Sequence, residues 1–437
     1  MNQPSNTNEK ILQFLRSDDP VNFELAIQLC IGTHGDYGKA VGYELQKYPL
    51  LCLQHELEIP YLQKLQTIPT NAWERLPTNL GLLYNLRALH LDKYNFDLLP
   101  PEVHQLLRLE KLIVRACGLT SLSPALGYLS VLTFLDVGSN HLTTLPLEIS
   151  QLTRLVTCLG VNNQLVALPP EIENLKSLET LDLSNNLLTT LPNQIGKLTQ
   201  LTHLKLVHNK LTSLPTTIGL LKNLQVLDLS SNQLTSLPDE IGQMEKLRKL
   251  NLKNNQLTEL PAGIGKLKHL LSLEVSHNKK LTQLAAGLGN LGQLTQLELI
   301  DTSLQLLPAS LHKLQKLERL HIEGSQLKEL PAEIGKLTHL KELHIKNSQL
   351  ESLPKEMGNL VQLRTLNLRQ NKLQKIPTEL SKLSNLESLD LRDNELEDLP
   401  IELWQLKQLK RMKIEESGLS SSDQAKFRLL LPHCYIL

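Results

Sequence analysis

The sequence predicts an α/β fold. It is a right-handed solenoid bent like a horseshoe, with a concave parallel β-sheet, short helical or 3-10 segments on its convex side and a helical N-terminal cap. Three observations carry this prediction. A phrase recurs every 23 residues, beginning at Leu86, Leu109, Leu132, Leu155, Leu178, Leu201, Leu224, Leu247 and Leu270, and repetition at such a period marks stacked coils. The phrase opens LxxLxL, and its final alternation suits a short strand with one buried face. Aromatic residues make up only 3% of the 437, so the core must be aliphatic and repetitive.

The elements follow in order. Residues 1–61 show no repeat and are expected to form a helical cap. "EKILQFL" has helical apolar spacing, "DPVNFELAIQLCIG" (19–32) carries an Asp cap, a first-turn Pro and a closing Gly, and a further helix covers part of 35–57. Residues 62–408 form the solenoid, with 62–85 a degraded first copy. The stretch "HNKKL" (277–281) holds one extra residue, after which the series resumes at Leu294, Leu317, Leu340, Leu363 and Leu386, making 14 full units. Residues 409–437 read as a C-terminal cap, with a helix stopped by Pro432 and then a strand shielding the last edge.

One unit, "LQVLDLSSNQLTSLPDEIGQMEK" (224–246), shows the local logic. Leucines one, four and six point inward. The Asn at position nine ends the strand and satisfies backbone groups exposed as the chain turns. It recurs as Asn140, Asn163, Asn186, Asn209, Asn232, Asn255, Asn278, Asn371 and Asn394. Tyr94, Cys117, Thr302, Ser325 and Ser348 depart from it, and the last three predict altered curvature or looser coils. The Pro is expected in the first turn of a brief helical segment, with Gly cutting it short. Parallel strands sit ~4.8 Å apart and helical segments ~8–10 Å, which puts the strands inside the curve.

The pattern LxxLxLxxNxLxxLPxxIGxLxx resembles the leucine-rich repeat family over about four-fifths of the chain. The LPxxIGxL form looks like the intracellular group that includes scaffolds near Ras-like GTPases, and bacterial proteins share it. The resemblance implies a non-catalytic protein-recognition module or scaffold whose concave face binds a protein, and a regulator of a signalling protein within that class. The alternative is a secreted or injected bacterial effector or adhesin that binds a host protein.

Chemistry is scarce. No GxxxxGK[ST], GxSxG or HExxH motif is present, so no enzyme, cofactor or metal site is expected. His321 and His344 lie in near-identical "LERLHI" and "LKELHI" settings 23 residues apart. They are copies of one outward position, and side chains parallel on a sheet do not converge on a tetrahedral ion. Lys+Arg and Asp+Glu are 45 each, so no global field favours nucleic acid. The five cysteines lack CxxC spacing, no apolar run is long enough to span a bilayer and no secretory leader pattern opens the chain. The expectation is a soluble, cytoplasmic, monomeric protein.

Positions two, three, five, seven and eight are expected to be free of packing. Two partner-binding surfaces follow. Ile113, Phe134, Val156, Leu159 and Val161 form an apolar patch rimmed by Lys111, Arg115 and Asp136. Later coils offer His321, His344, Lys346, Arg369 and Arg392, with Arg319 and Arg364 nearby, as a basic strip for an acidic partner segment. Trp404, in the usual Gly position, is expected to pack on the terminal cap.

Overall fold

Positions one, four and six of every complete unit, mostly leucine, are interior, and the fold grows from that pattern. The computed structural model describes residues 4–67, 79–93, 95, 97–99 and 101–437; Tyr94 lies outside them, as does 68–78 of the degraded first copy. Two compact units divide at Thr180 and Leu181.

In the first unit, five helices precede the coils: α1 (Pro4–Leu15), α2 (Pro20–Gly32), α3 (Lys39–Leu45), α4 (Pro49–Gln54) and α5 (Ile59–Leu62). Asp19 caps α2 by accepting the Val21 N–H at 2.9 Å, which satisfies one of the orphan donors at a helix start. The stretch expected to carry one further helix carries two, because Pro49 stops one and starts the next. Ile11, Leu15, Ile27, Leu45 and Leu53 form the interior of this cap. Strands β1 (Ala88–Asp92), β2 (Lys111–Arg115), β3 (Phe134–Asp136) and β4 (Thr157–Leu159) then pair in parallel, each with the next.

After β5 (Thr180–Asp182), at the division, the second unit runs through β6 (His203–Lys205), β7 (Val226–Asp228), β8 (Lys249–Asn251), β9 (Ser272–Glu274) and β10 (Gln296–Ile300). It continues through β11 (Arg319–Glu323), β12 (Glu342–Lys346), β13 (Thr365–Asn367), β14 (Ser388–Asp390), β15 (Arg411–Lys413), helix α6 (Ser421–Leu430) and β16 (Tyr435–Ile436). Strands β6 to β16 pair consecutively in parallel. Each crossover from β6 to β15 returns through a 3-10 turn of five residues, and the last, to β16, through α6, the right-handed route that parallel connections take. Leu227 and Leu229 are fully buried, while Asp228 between them faces outward. Burying one such leucine is worth about 1.5–3 kcal/mol.

The conserved-looking Pro and Gly act differently from expectation. Pro238 stands one residue before its turn, extended at ψ 147°, and its carbonyl accepts the Ile241 N–H at 3.0 Å. Gly242 lies inside the turn and does not end it. A Cβ there would come within 2.3 Å of the Gly263 carbonyl oxygen, and one on Gly219 within 2.2 Å of that of Glu240. These glycines let successive coils touch.

The asparagine ladder forms. Asn140 Nδ2 donates to the Val114 carbonyl of the preceding coil at 2.7 Å, and equivalent bonds from Asn163, Asn209, Asn232, Asn255, Asn278, Asn371 and Asn394 measure 2.8–3.0 Å. Asn232 Oδ1 also accepts the Leu211 N–H at 3.0 Å. The ladder sets strand length. Where Asn takes the carbonyl at position six of the coil before, pairing stops at position five, as at Ile113 with Asp136 and His344 with Asn367. Where the ladder residue is Cys117, Ser325 or Ser348, pairing continues to position seven: Asp92 with Arg115, Ile300 with Glu323 and Glu323 with Lys346. The departures thus bring more backbone pairing, not the looser strands expected. Between β9 and β10, beside the extra residue, pairing stops at Glu274 with Glu298, and the Ile300 N–H turns to Ser276 Oγ at 2.9 Å.

Positions five and eight are not free. The side chain at five accepts the N–H at seven in Asp136, Asp182, Asp228, Asn251, Glu274, Asn367 and Asp390, at 3.0–3.3 Å. Position eight is left-handed from Lys93 to Glu416, with φ between 45° and 66°, which explains its Asn, Asp, Ser, His and Gly content.

Candidate functional site

The strand face is where outward side chains stand in rows. In the first unit, Lys111, Phe134 and Thr157 occupy the row at position three, and Ile113, Asp136 and Leu159 that at position five. Ile113, Phe134, Val156, Leu159 and Val161 are all half-buried, so the predicted patch is present but not continuous. Asp136 sits between Ile113 and Leu159 and is only 6% exposed. It is therefore not the rim residue expected. Its Oδ1 accepts the Gly138 N–H at 3.0 Å, and Oδ2 lies 3.7 Å from Arg115 Nε. Lys111 places its ammonium 4.8 Å from the Phe134 ring centroid, a cation–π contact that hides part of the ring.

The β4 coil also differs on its inner side. Its inward positions four and six are Cys158 and Gly160, both buried, where other coils place larger aliphatic side chains. Burial pushes the Cys158 thiol up to about 12, with Asp136 adding to the effect, so it is an inert core group.

In the second unit, the row at position five runs Glu274, Glu298, His321, His344 across β9–β12. The histidine rings lie 5.2 Å apart at 46°. Both imidazoles are held below the ordinary value, chiefly by burial; Lys346 adds to this for His321, and His321 does so for His344. Glu274 and Glu298 share a side-chain hydrogen bond, which with burial pushes Glu298 up to about 7. Two carboxyl groups bond only with a proton between them.

The basic strip is neutralised on the spot. Lys346 Nζ contacts Glu323 Oε2 at 2.7 Å, and Arg369 Nε contacts Asp393 Oδ2 at 2.6 Å. Arg392 grips Asp390 through two bonds of 2.9 and 2.7 Å. His321 Nε2 reaches the same Glu323 oxygen at 3.3 Å. Arg319 and Arg364 remain exposed. Trp404 is 42% exposed, with Lys407 Nζ 4.2 Å from its ring centroid.

Glu274 and Glu298 fall in successive copies of the outward position that also holds His321 and His344, so the sequence itself makes them neighbours, and β9 and β10 place them opposite each other. Among the described residues, no group of three or more His, Cys, Asp or Glu is arranged to hold a metal ion. No helix among them is long and apolar enough to cross a membrane.

Comparison with known proteins agrees with this geometry. A model of the leucine-rich repeat region matches residues 158–229, 192–300, 283–361 and 351–421. The solved leucine-rich-repeat protein LIC12759 of Leptospira interrogans is 35% identical, covering 87% of this chain and 97% of that one at a TM-score of 0.78. The functional domain of InlJ from Listeria monocytogenes is 24% identical over 82% of this chain and 74% of its own, at a TM-score of 0.66, a likeness of fold alone. No curated protein sequence matches. With its period, its ladder and a matching family model across more than half its length, the chain belongs to the leucine-rich repeat family.

Proposed function

We propose that this protein is a non-catalytic recognition module that docks a protein partner across its concave, strand-lined face. It would act as a monomeric cytoplasmic scaffold or as a regulator of a signalling protein. The observation that carries the reading is the group of half-buried apolar side chains on the strand face of the first unit, interrupted by Asp136. Phe134 and Leu159 stand outward on strands fixed by the Asn140 and Asn163 bonds. Side chains held on rigid strands lose little entropy on binding, and aromatic anchors contribute most to such contacts. The cytoplasmic reading is supported by five free cysteines, four of them buried, as suits a reducing compartment.

The test is capture of partners from lysate of the source organism by the full chain and by a Phe134→Asp, Leu159→Asp double variant. The expected result is a specific partner lost by the variant, with its melting temperature within a few degrees of the parent. Equal capture by both proteins would remove this face from the reading. Light scattering on the purified chain tests the monomer.

A further inference from the structure

Strands β9–β12 carry an arrangement that partner recognition does not require. Four titratable side chains occupy consecutive places in one row: two carboxyl groups opposite each other on β9 and β10, then two imidazoles in ring contact. The three junctions between these coils lack the asparagine clamp, although Asn278 and Asn371 clamp the coils on either side. Thr302 Oγ1 reaches only the Leu299 carbonyl of its own coil, at 3.5 Å, and Ser325 and Ser348 bond each other at 2.8 Å. At these junctions the asparagine amide no longer ties one coil to the next, so the strand face, where the row lies, carries more of the polar contact between coils.

We propose that β9–β12 form a proton-responsive segment, closed when one proton bridges Glu274 and Glu298 and both imidazoles are uncharged, and opened by loss of that proton or protonation of the imidazoles. The surrounding charges set both limits. Glu298 faces Glu274 on β9, Lys253 after β8 and Arg319 on β11. His321 faces Glu323 on its own strand, Lys346 on β12, and Glu274. His344 faces His321, Glu342, Lys346 and Glu323, while its neighbour on β13 is the uncharged Asn367. Losing the bridging proton sets two carboxylates against each other on adjacent strands. Charging both imidazoles sets two cations beside Lys346, with Glu323 already engaged by that lysine.

The two limits have opposite signs. Glu298 holds its proton more tightly folded than unfolded, so its contribution is lost as pH rises through about 7. The histidines hold theirs less tightly folded, so their contribution is full above the unfolded value of ~6.5 and is lost as pH falls from there through their lowered folded values. The segment is tightest in between.

Hydrogen exchange of the full chain at pH 5.5, 6.5 and 8.0, corrected for intrinsic rates, tests this. Peptides within 294–348 are expected to be at least about threefold less protected at pH 5.5 and 8.0 than at 6.5, relative to peptides within 201–255; a full pKa unit would correspond to tenfold. Glu298→Gln, whose amide replaces the bridging proton permanently, should abolish the fall at pH 8.0 only. His321→Asn with His344→Asn, a residue already used at this position in Asn251 and Asn367, should abolish the fall at pH 5.5 only. A protection ratio constant across the three pH values in the parent chain overturns the proposal, whether or not the variants fold. So does a pH response that the variants leave unchanged.

Discussion

Asp228 Oδ1 accepts both the backbone N–H of Ser230, at 3.0 Å, and its hydroxyl, at 2.7 Å. A carboxylate that looks solvated in the sequence therefore holds the exit of its strand. Asp228→Ala should cost about 1 kcal/mol, the net worth of such a bond, while Asp228→Asn should be close to neutral, since Asn251 makes the same contact at 3.0 Å. Thermal melts of the two variants check this, and equal losses would show that charge rather than acceptor geometry matters.

Asn232 is bonded both to its own coil and to the one before. It donates to Leu206 and Leu229 at 2.8 and 2.9 Å and accepts from Leu211 at 3.0 Å. Replacing it with Ala strands buried backbone groups, and a loss of about 1–3 kcal/mol is expected. Urea unfolding reads it; an unchanged midpoint would contradict the ladder.

Two glycines separate contact from freedom. Gly219→Ala drives a Cβ into the Glu240 carbonyl and should destabilise by about 1–3 kcal/mol, the usual cost of overpacking. Gly292→Ala meets nothing within 4 Å and should stabilise by about 0.4–1 kcal/mol through the unfolded chain. Melting temperatures of the pair must move in opposite directions.

The N-terminal cap carries a pH-dependent term. The Glu44 carboxyl is held below its usual range, first by its bond to Lys47 and then, against burial, by Arg16, which lies 3.1 Å away. A lowered carboxylate stabilises above its unfolded pKa, and the contribution is lost as pH falls through the folded one. Glu44→Gln should therefore lower the melting temperature at pH 7, while below about pH 4 the two proteins converge. A difference that persists at pH 3 would point to packing instead.

Much of the fold was legible because one rule, an aliphatic side chain inward at one, four and six, is written in 13 of the 14 units. Leu227, Asp228 and Leu229 fall where that rule puts them. The surfaces were harder. Asp136 reads as a rim charge until the Gly138 N–H is seen pointing at it. Arg369 reads as a free cation until the coil brings Asp393 beside it. Such pairs depend on side-chain reach across neighbouring coils, which a periodic pattern does not encode. Position eight could have been read from its Asn, Ser and His content, had left-handed backbone been considered.

The exchange at position nine has an evolutionary consequence. Where Cys117, Ser325 or Ser348 stands at position nine, a longer strand takes over the pairing that the asparagine amide makes elsewhere, so one solution can replace the other. Single coils are thereby open to mutation independently of their neighbours. A long array can vary its surface locally while keeping a common pitch.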